Sequence, residues 1–401
     1  GIYNGGVAGA STILADTSVI GNSPGSGIVN YGTVEIRNAT IQGNTSADWG
    51  GGINNLGTMT IDKSLISGNS ALGDHANGDI GGFGGGIYVF GKLTISNTTI
   101  SGNSAEDNDR GGAGEGGGIY AGTNRLILDH VTIADNQASS YSDLFLGGAA
   151  RMQQKSTIIA NNLGGDNCGI FGAFTNLGNN LDSGNSCGFM DPSDLVNTDP
   201  LLGPLQDNGG PTFTHALLPG SPAIDHILPE NCIVTTDQRG VPRPSGVGCD
   251  IGAYESFALN PGLNDAWYDP DTDGQGFFIT VFPDIGYVSM AWFTYDTELP
   301  AEDATANLGD PGHRWITAVG PITGNHAIMQ IEMTSGGIFD TSTEIQRTDP
   351  PGSDGTITLT FDNCAFGTVE YDIPSIDQKG IVPIQRVAGD NIALCEALRT
   401  N

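Results

Sequence analysis

A repeated segment constrains what this chain can fold into more than any other feature. One copy spans residues 86–104 and holds three short apolar stretches, Ile87-Tyr88, Leu93-Thr94-Ile95 and Thr99-Ile100, each followed by a turn of Gly or Asn. Apolar alternation favours strands, and Gly and Asn tolerate the left-handed backbone of tight turns. Three such short strands per repeat are typical of one coil of a parallel β-helix, which buries its apolar side only against neighbouring coils.

The repeat recurs through roughly the first 160 residues. Its copies open at Gly1, Gly27, Gly52, Gly86 and Gly118, at spacings of 26, 25, 34 and 32 residues. Coils of about 20 to 29 residues are usual in solenoids with one strand per rung. The two longer spacings carry insertions at one place, after the Gly-Asn turn, in segments 70–85 and 104–117. Loops confined to one corner leave the stack of coils intact, so the pattern predicts a solenoid.

One polar residue type returns at the same place in every copy. These positions are Asn22, Asn44, Asn69, Asn103 and Asn136. In stacked coils they would form a ladder at one corner, each amide bonding the next, and Asn also accepts a left-handed backbone. A row of ligand-binding amides is the alternative interpretation, but ladders of like residues commonly stabilise stacked strands.

The charge of the chain excludes some classes of partner. The net charge is −31, from 45 acidic and 14 basic residues. Nucleic acid and anionic lipid call for the opposite field, so the sequence predicts neither as a partner. An acidic surface keeps an exported protein dispersed or collects divalent cations. Gly accounts for 62 residues, most of which fall at the predicted corners and insertions.

The beginning of the sequence lies inside a repeat, because Gly1-Ile2-Tyr3 matches Gly86-Ile87-Tyr88. We therefore expect that a leader and earlier residues were removed, since no signal peptide is present. A solenoid that starts within a coil would expose an unpaired edge and open apolar rungs. No run of about 18 apolar residues occurs, so no transmembrane helix is predicted.

Six cysteines lie outside the repeats. Their even number and the absence of a C-x-x-C spacing argue against zinc, haem or a redox relay and favour disulfides. Pairing neighbours in sequence would join Cys168 to Cys187, Cys232 to Cys249 and Cys364 to Cys395, although six cysteines allow 15 pairings. Disulfides imply an oxidising compartment, and hence export.

A Pro- and Gly-rich passage follows the repeats. Its closing segments resemble the end of secreted bacterial "choice-of-anchor Q" proteins; these segments are 220–225, 236–244 and 249–255. The repeats of that family are similar to those of polymorphic outer-membrane proteins. The resemblance covers roughly residues 1–256 and implies an exported right-handed parallel β-helix, often attached to the cell surface, with no established chemistry. The passage itself is typical of the cap that covers the last rung of a solenoid. Its charged residues are predicted to form a structural Arg–carboxylate brace rather than a catalytic cluster: Asp225, Asp237, Arg239 and Asp250.

The last part of the chain, from about Leu263, has longer strands and more aromatic residues. Turns at intervals of about 10 to 15 residues predict an antiparallel sandwich or barrel. Segments 266–270, 273–277 and 292–296 resemble a module common at the ends of exported proteobacterial proteins, for which we know no activity. The sequence thus predicts an all-β chain with a parallel β-helix over 1–165, a disulfide-bearing cap over 166–258 and an antiparallel, sandwich-like domain over 263–401.

Asp269, Asp271 and Asp273 have the D-x-D-x-D-G spacing of a calcium loop, in which three carboxylates surround one cation. Position 12 of such a loop would be Thr280, so the usual bidentate Glu is missing, and a polar hairpin turn is the favoured interpretation. Calcium is the one possible cofactor that the sequence suggests. The insertions also carry acids that suit a cation or a sugar, although such Gly-rich loops usually have no ligand: Asp74, Asp79, Glu106, Asp107, Asp109 and Glu115.

Three functions remain open. The leading prediction is a non-catalytic structural protein of a Gram-negative cell surface or extracellular matrix, assembling head-to-tail through the open β-helix end into filaments. The second is an adhesin or polysaccharide-binding protein with an exposed aromatic row, for which the candidates are Tyr31, Trp49, Tyr88 and Tyr120. The third, a polysaccharide lyase or hydrolase, lacks any cluster of basic residues, histidines and paired acids that would mark its site.

Overall fold

A computed structural model describes residues 1–5, 11–73, 81–106, 114–304, 313–323, 325–335, 340, 342, 345–347 and 353–398. The chain divides into two compact units, Gly1–Glu255 and Ser256–Asn401. The division of the first unit into a β-helix that ends at residue 165 and a cap that begins at residue 166 stays a prediction.

The first unit is built from short strands and one 3₁₀ turn, Pro229–Asn231. The strands are β1 (Ile2–Asn4), β2 (Ser11–Ala15), β3 (Ser18–Ile20), β4 (Ile28–Asn30), β5 (Thr33–Arg37), β6 (Thr40–Gln42), β7 (Thr45–Ser46), β8 (Ile53–Asn55), β9 (Thr58–Asp62), β10 (Leu65–Ser67), β11 (Ser70–Ala71), β12 (Ile87–Val89), β13 (Lys92–Ser101), β14 (Ser104–Ala105), β15 (Ile119–Ala134), β16 (Gln137–Ala138), β17 (Leu144–Lys155), β18 (Ile158–Ala160), β19 (Cys168–Ile170), β20 (Ala173–Asn176), β21 (Leu181–Asp182), β22 (Leu195–Val196), β23 (Leu202–Gln206) and β24 (Thr214–Leu217).

Strands β1 to β22 stack in parallel, most of them on three faces of the coils, whereas β23 and β24 pair antiparallel with each other. Face 1 consists of β1, β4, β8, β12, the first residues of β15 and β17, and β19. Face 2 consists of β2, β5, β9, β13, β15, β17 and β20. Face 3 consists of β3, β6, β10, β13, β15, β18, β21 and β22, and a small fourth sheet joins β7, β11, β14 and β16. The predicted parallel β-helix class is therefore confirmed.

Equivalent side chains stack inside the coils because the coils are in register. On face 1 the inward residues are fully buried and follow one another from coil to coil: Ile28, Ile53, Ile87, Ile119 and Leu144. Such a column buries apolar surface only when neighbouring coils are present, so the coils stabilise one another.

Glycine is required where face 1 begins. A Cβ on Gly52 or Gly86 would lie 2.7 or 2.6 Å from the carbonyl oxygen of Gly86 or Gly118 in the next coil. A contact that short is not tolerated, so the third residue of each Gly-Gly-Gly corner has no room for a side chain. In the coil after Gly118 the corner is Tyr141-Ser142-Asp143, so the equivalent residue there is Asp143 and not glycine.

The second unit contains antiparallel strands, three 3₁₀ turns and one short helix among its described residues. They are β25 (Asp265–Tyr268), β26 (Gly276–Phe282), β27 (Tyr287–Tyr295), β28 (His313–Thr323), β29 (His326–Glu332), β30 (Thr334–Ser335), β31 (Gln346–Arg347), β32 (Thr356–Phe361), β33 (Phe366–Ile373) and β34 (Gln378–Arg386), with 3₁₀ turns Pro261–Leu263, Pro283–Ile285 and Pro374–Ile376 and helix α1 (Ile392–Leu398). Eight of the strands form a closed barrel in the order β25-β26-β27-β28-β29-β32-β33-β34, and β30 pairs with β31 separately. Pairing of β25 with β34 closes the sheet, so the predicted antiparallel domain forms a barrel rather than two packed sheets.

Alternating residues of the barrel strands fill its interior, with Trp267 only 1% exposed. Its indole nitrogen donates to the carbonyl of Leu263 across 3.1 Å, and the Arg386 guanidinium lies 4.6 Å from its ring centroid. Among the described residues no helix combines the length and apolar character needed to span a membrane.

Candidate ligand-binding face

An aromatic row runs along face 1. It contains Trp49, Tyr88, Tyr120, Phe145 and Phe171, whose successive ring centroids are 5.7, 5.4, 4.7 and 5.6 Å apart. The first three pairs are stacked within 18° of parallel. Tyr88, Tyr120 and Phe145 are the outward middle residues of their face 1 strands, and parallel register places them directly above one another. Trp49 precedes β8 and Phe171 follows β19, so these two rings extend the row from the segments beside the strands.

Further rings widen the row. Phe90, at the turn after β12, stacks on Tyr88 with centroids 6.2 Å apart, and Phe83 lies 4.9 Å from Tyr120. Of the four sequence candidates, the structure joins Trp49, Tyr88 and Tyr120. Tyr31 instead pairs with Tyr3 at 5.7 Å, because the outward residues between them and the row, Val29 and Asn54, are not aromatic.

The rings differ in what they offer to a ligand. Near-parallel stacking covers the faces of the central rings, so Tyr88 and Tyr120 are only partly exposed and form a continuous apolar floor. Rings at the margins are more open, with Trp49, Phe90 and Phe171 exposed by 44%, 46% and 60%. Exposed aromatic rings that lie together in this way form a candidate binding surface.

Burial also changes the ionisation of the row. Burial raises the pKa of Tyr88, and burial together with the Glu115 carboxylate raises the pKa of Tyr120 to about 12. Burial raises the pKa of Glu115 itself, which lies along one side of the row. The tyrosines therefore stay neutral hydrogen-bond donors over the physiological range.

The asparagine ladder is continuous and internal. Asn22, Asn44, Asn69 and Asn103 each donate from Nδ2 to Oδ1 of the asparagine in the next coil, at 2.7 to 2.9 Å. Backbone N–H groups of the same residues donate to the same oxygens at 3.0 Å. Four of the five are fully buried, with Asn22 as the exception, so the ladder holds coils together rather than facing a ligand.

Backbone geometry at this corner differs from the expectation. The left-handed residue precedes each ladder asparagine: Gly21, Gly43, Gly68 and Gly102 have φ between +60° and +66°, and Asp135 has +58°. The ladder asparagines are not left-handed, because their side chains must point inward to meet the next coil. A second ladder, Asn4–Asn30–Asn55, which the sequence analysis missed, lies at the end of face 1 and joins successive coils at 2.8 Å per contact.

The predicted brace of the cap is present, with additional members. Arg239 pairs with the buried Asp237 at 2.8 Å and lies 3.6 Å from the ring centroid of Tyr254. Asp250 accepts a bond from the backbone of Asp225 at 2.7 Å. Sequence reasoning missed the fully buried pair of Arg243 with Glu255, 2.7 Å apart.

Glu255 shows that this network is structural. Its carboxylate accepts bonds from Arg243 and from the backbone N–H groups of Ser245 and Asp250, at 2.7, 2.7 and 2.9 Å. Burial and the nearby Asp250 charge raise the pKa of Glu255, while the guanidinium opposes the shift. A carboxylate enclosed by its own donors has no access to a substrate.

A serine and a histidine meet beneath the cap. The Ser101 hydroxyl lies 2.8 Å from Nε2 of His215, a distance that suits a nucleophile and its base. Both residues are only 2% exposed, and Nδ1 of His215 contacts the Gly203 carbonyl at 2.8 Å instead of an acid. The acid Asp135 approaches the same Nε2 at 3.7 Å and not Nδ1, so this pair fastens the cap segment to face 3.

A polar cleft of about 570 Å³ lies beside the cap and is lined by Lys155, Asp191, Ser193, His226 and Asn231 among others. Its titratable groups are already engaged. Lys155 donates to the Asn231 carbonyl at 3.1 Å, and His226 contacts the Ser193 carbonyl at 2.8 Å. Donation by the Ser193 backbone and hydroxyl lowers the pKa of Asp191. The cleft therefore presents no free base next to a second acid.

The D-x-D-x-D-G segment forms the turn between β25 and β26. Oδ1 of Asp269 accepts the backbone N–H of Asp271 at 3.0 Å, and Gly274 has φ +76°. Across the described residues no group of three or more His, Cys, Asp or Glu side chains is placed to hold a metal ion. The segment forms a hairpin turn in which one carboxylate bonds the backbone, and calcium binding by Asp269, Asp271 and Asp273 stays a prediction.

The disulfides join Cys168 to Cys187, Cys232 to Cys249 and Cys364 to Cys395. These are the pairs of neighbours in sequence, and each bridge closes a loop inside one unit. Of the acids in the insertions, Asp74, Asp79, Asp107 and Asp109 lie outside the described residues.

No protein-family model matches the chain, and no curated protein matches it either. Full-length tailspike protein 2 of an Escherichia coli O157:H7 bacteriophage is similar with 12% identity and a TM-score of 0.19, over 99% of this chain and 63% of that chain. The enzymatically active domain of tailspike protein 2 of bacteriophage CBA120 has 13% identity and a TM-score of 0.20, over 97% and 57%. This chain thus spans less than two thirds of either tailspike chain, and overlap this low assigns it no activity.

Proposed function

We propose that this chain is a non-catalytic extracytoplasmic binding protein whose face 1 holds a polysaccharide. The observation that carries the proposal is the aromatic row, which places five rings on consecutive levels of the solenoid. A sugar ring has an apolar side of C–H groups and a polar rim of hydroxyls, so an apolar strip edged by polar groups suits it.

The repeating architecture favours a polymer over a small ligand. Adjacent coils repeat at about 4.8 Å, so a row of like side chains offers the same contact several times along one axis. An extended chain gains from each contact without a deep pocket, because linked sites act at high effective concentration. The three disulfides and the resemblance to exported surface proteins support an oxidising, extracytoplasmic location.

The test is a glycan microarray probed with the full chain, followed by calorimetry with any polysaccharide that binds. The variant W49A/F90A/F171A removes the three open rings while leaving the central stack. We expect binding at least about tenfold weaker, a loss of about 1.4 kcal/mol. Phe213→Ala is the matched control, because this ring is 47% exposed but lies outside the row. Equal affinity in the triple variant and wild type, both folded by circular dichroism, would refute the role of the row.

Head-to-tail assembly into filaments stays a prediction from the sequence, and a measurement of the size of the assembled protein tests it. Sedimentation of the purified chain over a hundredfold concentration range separates the two functions. Growth into long assemblies with no glycan bound would replace the binding proposal with the structural one.

A further inference from the structure

Three basic residues of the solenoid line up on face 2. Lys92, Arg125 and Arg151 occupy the same strand position in β13, β15 and β17, since Leu93 pairs with Leu126 and Arg125 pairs with Arg151. All three are exposed, and the residue after each is buried. They therefore form a basic row on three consecutive coils, about 4.8 Å apart.

Nothing in the described chain neutralises this row. Arg125 donates to the uncharged Gln153, and neither Lys92 nor Arg151 forms an ion pair with a described residue. Like charges on adjacent strands repel, so the arrangement costs stability unless an anion bridges it. Only 14 basic residues occur in the whole chain, and three of them stand side by side here.

The surroundings of the row lack acids. The chain has 45 acidic residues, but in five successive coils the segment that forms face 1 and the start of face 2 contains no Asp or Glu. These segments are 53–61, 87–95, 119–128, 144–154 and 168–176. The acids that do lie nearby are at the margins. Glu115 borders the aromatic row, while Asp62 and Asp129 lie at the far end of face 2 and bond Ser96 and His130.

The basic row runs beside the aromatic row. Phe90 precedes Lys92 by two residues and stacks on Tyr88. Phe171 precedes Ala173 by two residues, and Ala173 pairs with Arg151. Apolar rings and cations thus form two parallel strips along the solenoid axis, separated by the turn between faces 1 and 2.

We propose that these two strips together bind an anionic polysaccharide, with sugar rings over the aromatic row and carboxylates or sulfates on Lys92, Arg125 and Arg151. This inference rests on the proposed polysaccharide-binding function and specifies its ligand class. A charged sugar polymer fits because it supplies apolar C–H surface and an anion on the same repeating unit.

The net charge of −31 does not prevent this binding. Salt screens charges beyond about 8 Å under physiological conditions, so a ligand on the acid-free strip feels mainly the row. Duplex DNA carries one negative charge per about 1.7 Å of its axis. The parts of a duplex that extend beyond the basic row would therefore be repelled strongly by the acidic surface around it. The chemistry therefore favours a polysaccharide over nucleic acid.

The experiment compares the full chain with K92Q/R125Q/R151Q by calorimetry and affinity electrophoresis, using polygalacturonate, dextran sulfate, neutral dextran and duplex DNA at several salt concentrations. The matched control is K63Q/R314Q/K379Q, which removes the same charge from positions outside the strip, where Lys63 is half-buried and Arg314 and Lys379 are exposed. Circular dichroism and the melting temperature establish that each variant is folded.

We expect wild type and the control to bind at least one anionic polysaccharide, and the row variant to bind it about 30-fold more weakly. The slope of log affinity against log salt should fall by about 2 in the row variant. Equal affinity of wild type and row variant for the anionic polymers would overturn the basic row while leaving polysaccharide binding in place. Binding of neutral dextran alone would do the same. Tighter binding of duplex DNA than of any polysaccharide would overturn both proposals.

Discussion

Asn136 donates from Nδ2 to Oδ1 of Asp143 across 2.8 Å, so the asparagine ladder ends on a buried acid. Asp143 is 0% exposed, and its Oδ2 has no hydrogen-bond partner. Burial raises the pKa of this carboxyl well above its ordinary value of 3.8. The folded chain therefore keeps the proton on this acid to a higher pH than an unfolded aspartate does.

Asp143→Asn should remove this pH dependence. Above pH 4 the unfolded wild type releases a proton that the folded state keeps, so wild-type stability falls as pH rises, by up to about 1.4 kcal/mol per pH unit. The asparagine keeps an acceptor for Asn136 and has no proton to lose. We expect the free energy of unfolding of the variant to gain on wild type between pH 4 and pH 8 in urea titrations. A difference that does not change with pH would contradict a neutral Asp143.

Asn69→Ala should be strongly destabilising. Asn69 donates to Asn103 and to the Ile41 carbonyl and accepts from Asn44, all while fully buried. Its loss leaves buried partners unsatisfied, which costs about 3 kcal/mol. Urea unfolding measures the effect. The control is Asn54→Ala at an outward position of β8, which should lower the free energy of unfolding by no more than about 0.5 kcal/mol. Similar losses of unfolding free energy in both variants would show that the ladder does not stabilise the coils.

His130→Asn tests a buried histidine at the corner between faces 2 and 3. Burial and the Arg243 charge lower the pKa of His130 to about 4, and its Nε2 has no partner. Because the unfolded histidine binds a proton below pH 6.5 and the folded one does not, wild type should lose about 3 kcal/mol as pH falls from 6.5 to 4. Asparagine accepts the backbone φ of +53° at this position.

Unfolding free energies at pH 7.5 and 4.5 give the readout for His130. The variant should lose less stability than wild type over this interval. Parallel losses in the two proteins would mean that His130 is protonated in the fold.

Gly86→Ala should prevent close stacking of two coils. The added Cβ would lie 2.6 Å from the Gly118 carbonyl oxygen, so the backbone must separate, at a cost of about 3 kcal/mol or more. Gly122→Ala is the control, since its Cβ would meet side-chain rings and not backbone, Tyr120 at 3.3 Å and Phe90 at 3.4 Å. Calorimetry measures the melting temperature of each variant. Equal decreases in the melting temperatures of Gly86→Ala and Gly122→Ala would contradict the stacking constraint.

The coils could be predicted because each repeats the same apolar and turn residues. The ladder positions follow from the same repeat, but their backbone conformation does not, since spacing alone cannot distinguish Gly43 from Asn44 as the left-handed residue. Barrel closure also escapes sequence reasoning. It depends on pairing Trp267 with Arg386, which no local pattern links.

The candidate site could be predicted in part. Tyr88 and Tyr120 follow an obvious Gly-Ile opening, whereas Phe145 follows Asp143-Leu144 and was missed because the glycine is absent. The basic row carried a readable signal, a cation directly before the second apolar stretch in three copies. A search for basic residues next to acids finds catalytic sites. It does not find this row, because a surface that binds anions has basic residues without acids beside them.

The glycine corners set how a chain like this can grow during evolution. A new coil that arises by duplication brings its own Gly-Gly-Gly and its own asparagine, so each inserted copy fits its neighbours at once. A single substitution at Gly52 or Gly86 meets a carbonyl that cannot move alone. Length, and with it the number of contacts along the aromatic row, can therefore change in whole coils more readily than any one corner can change its residue.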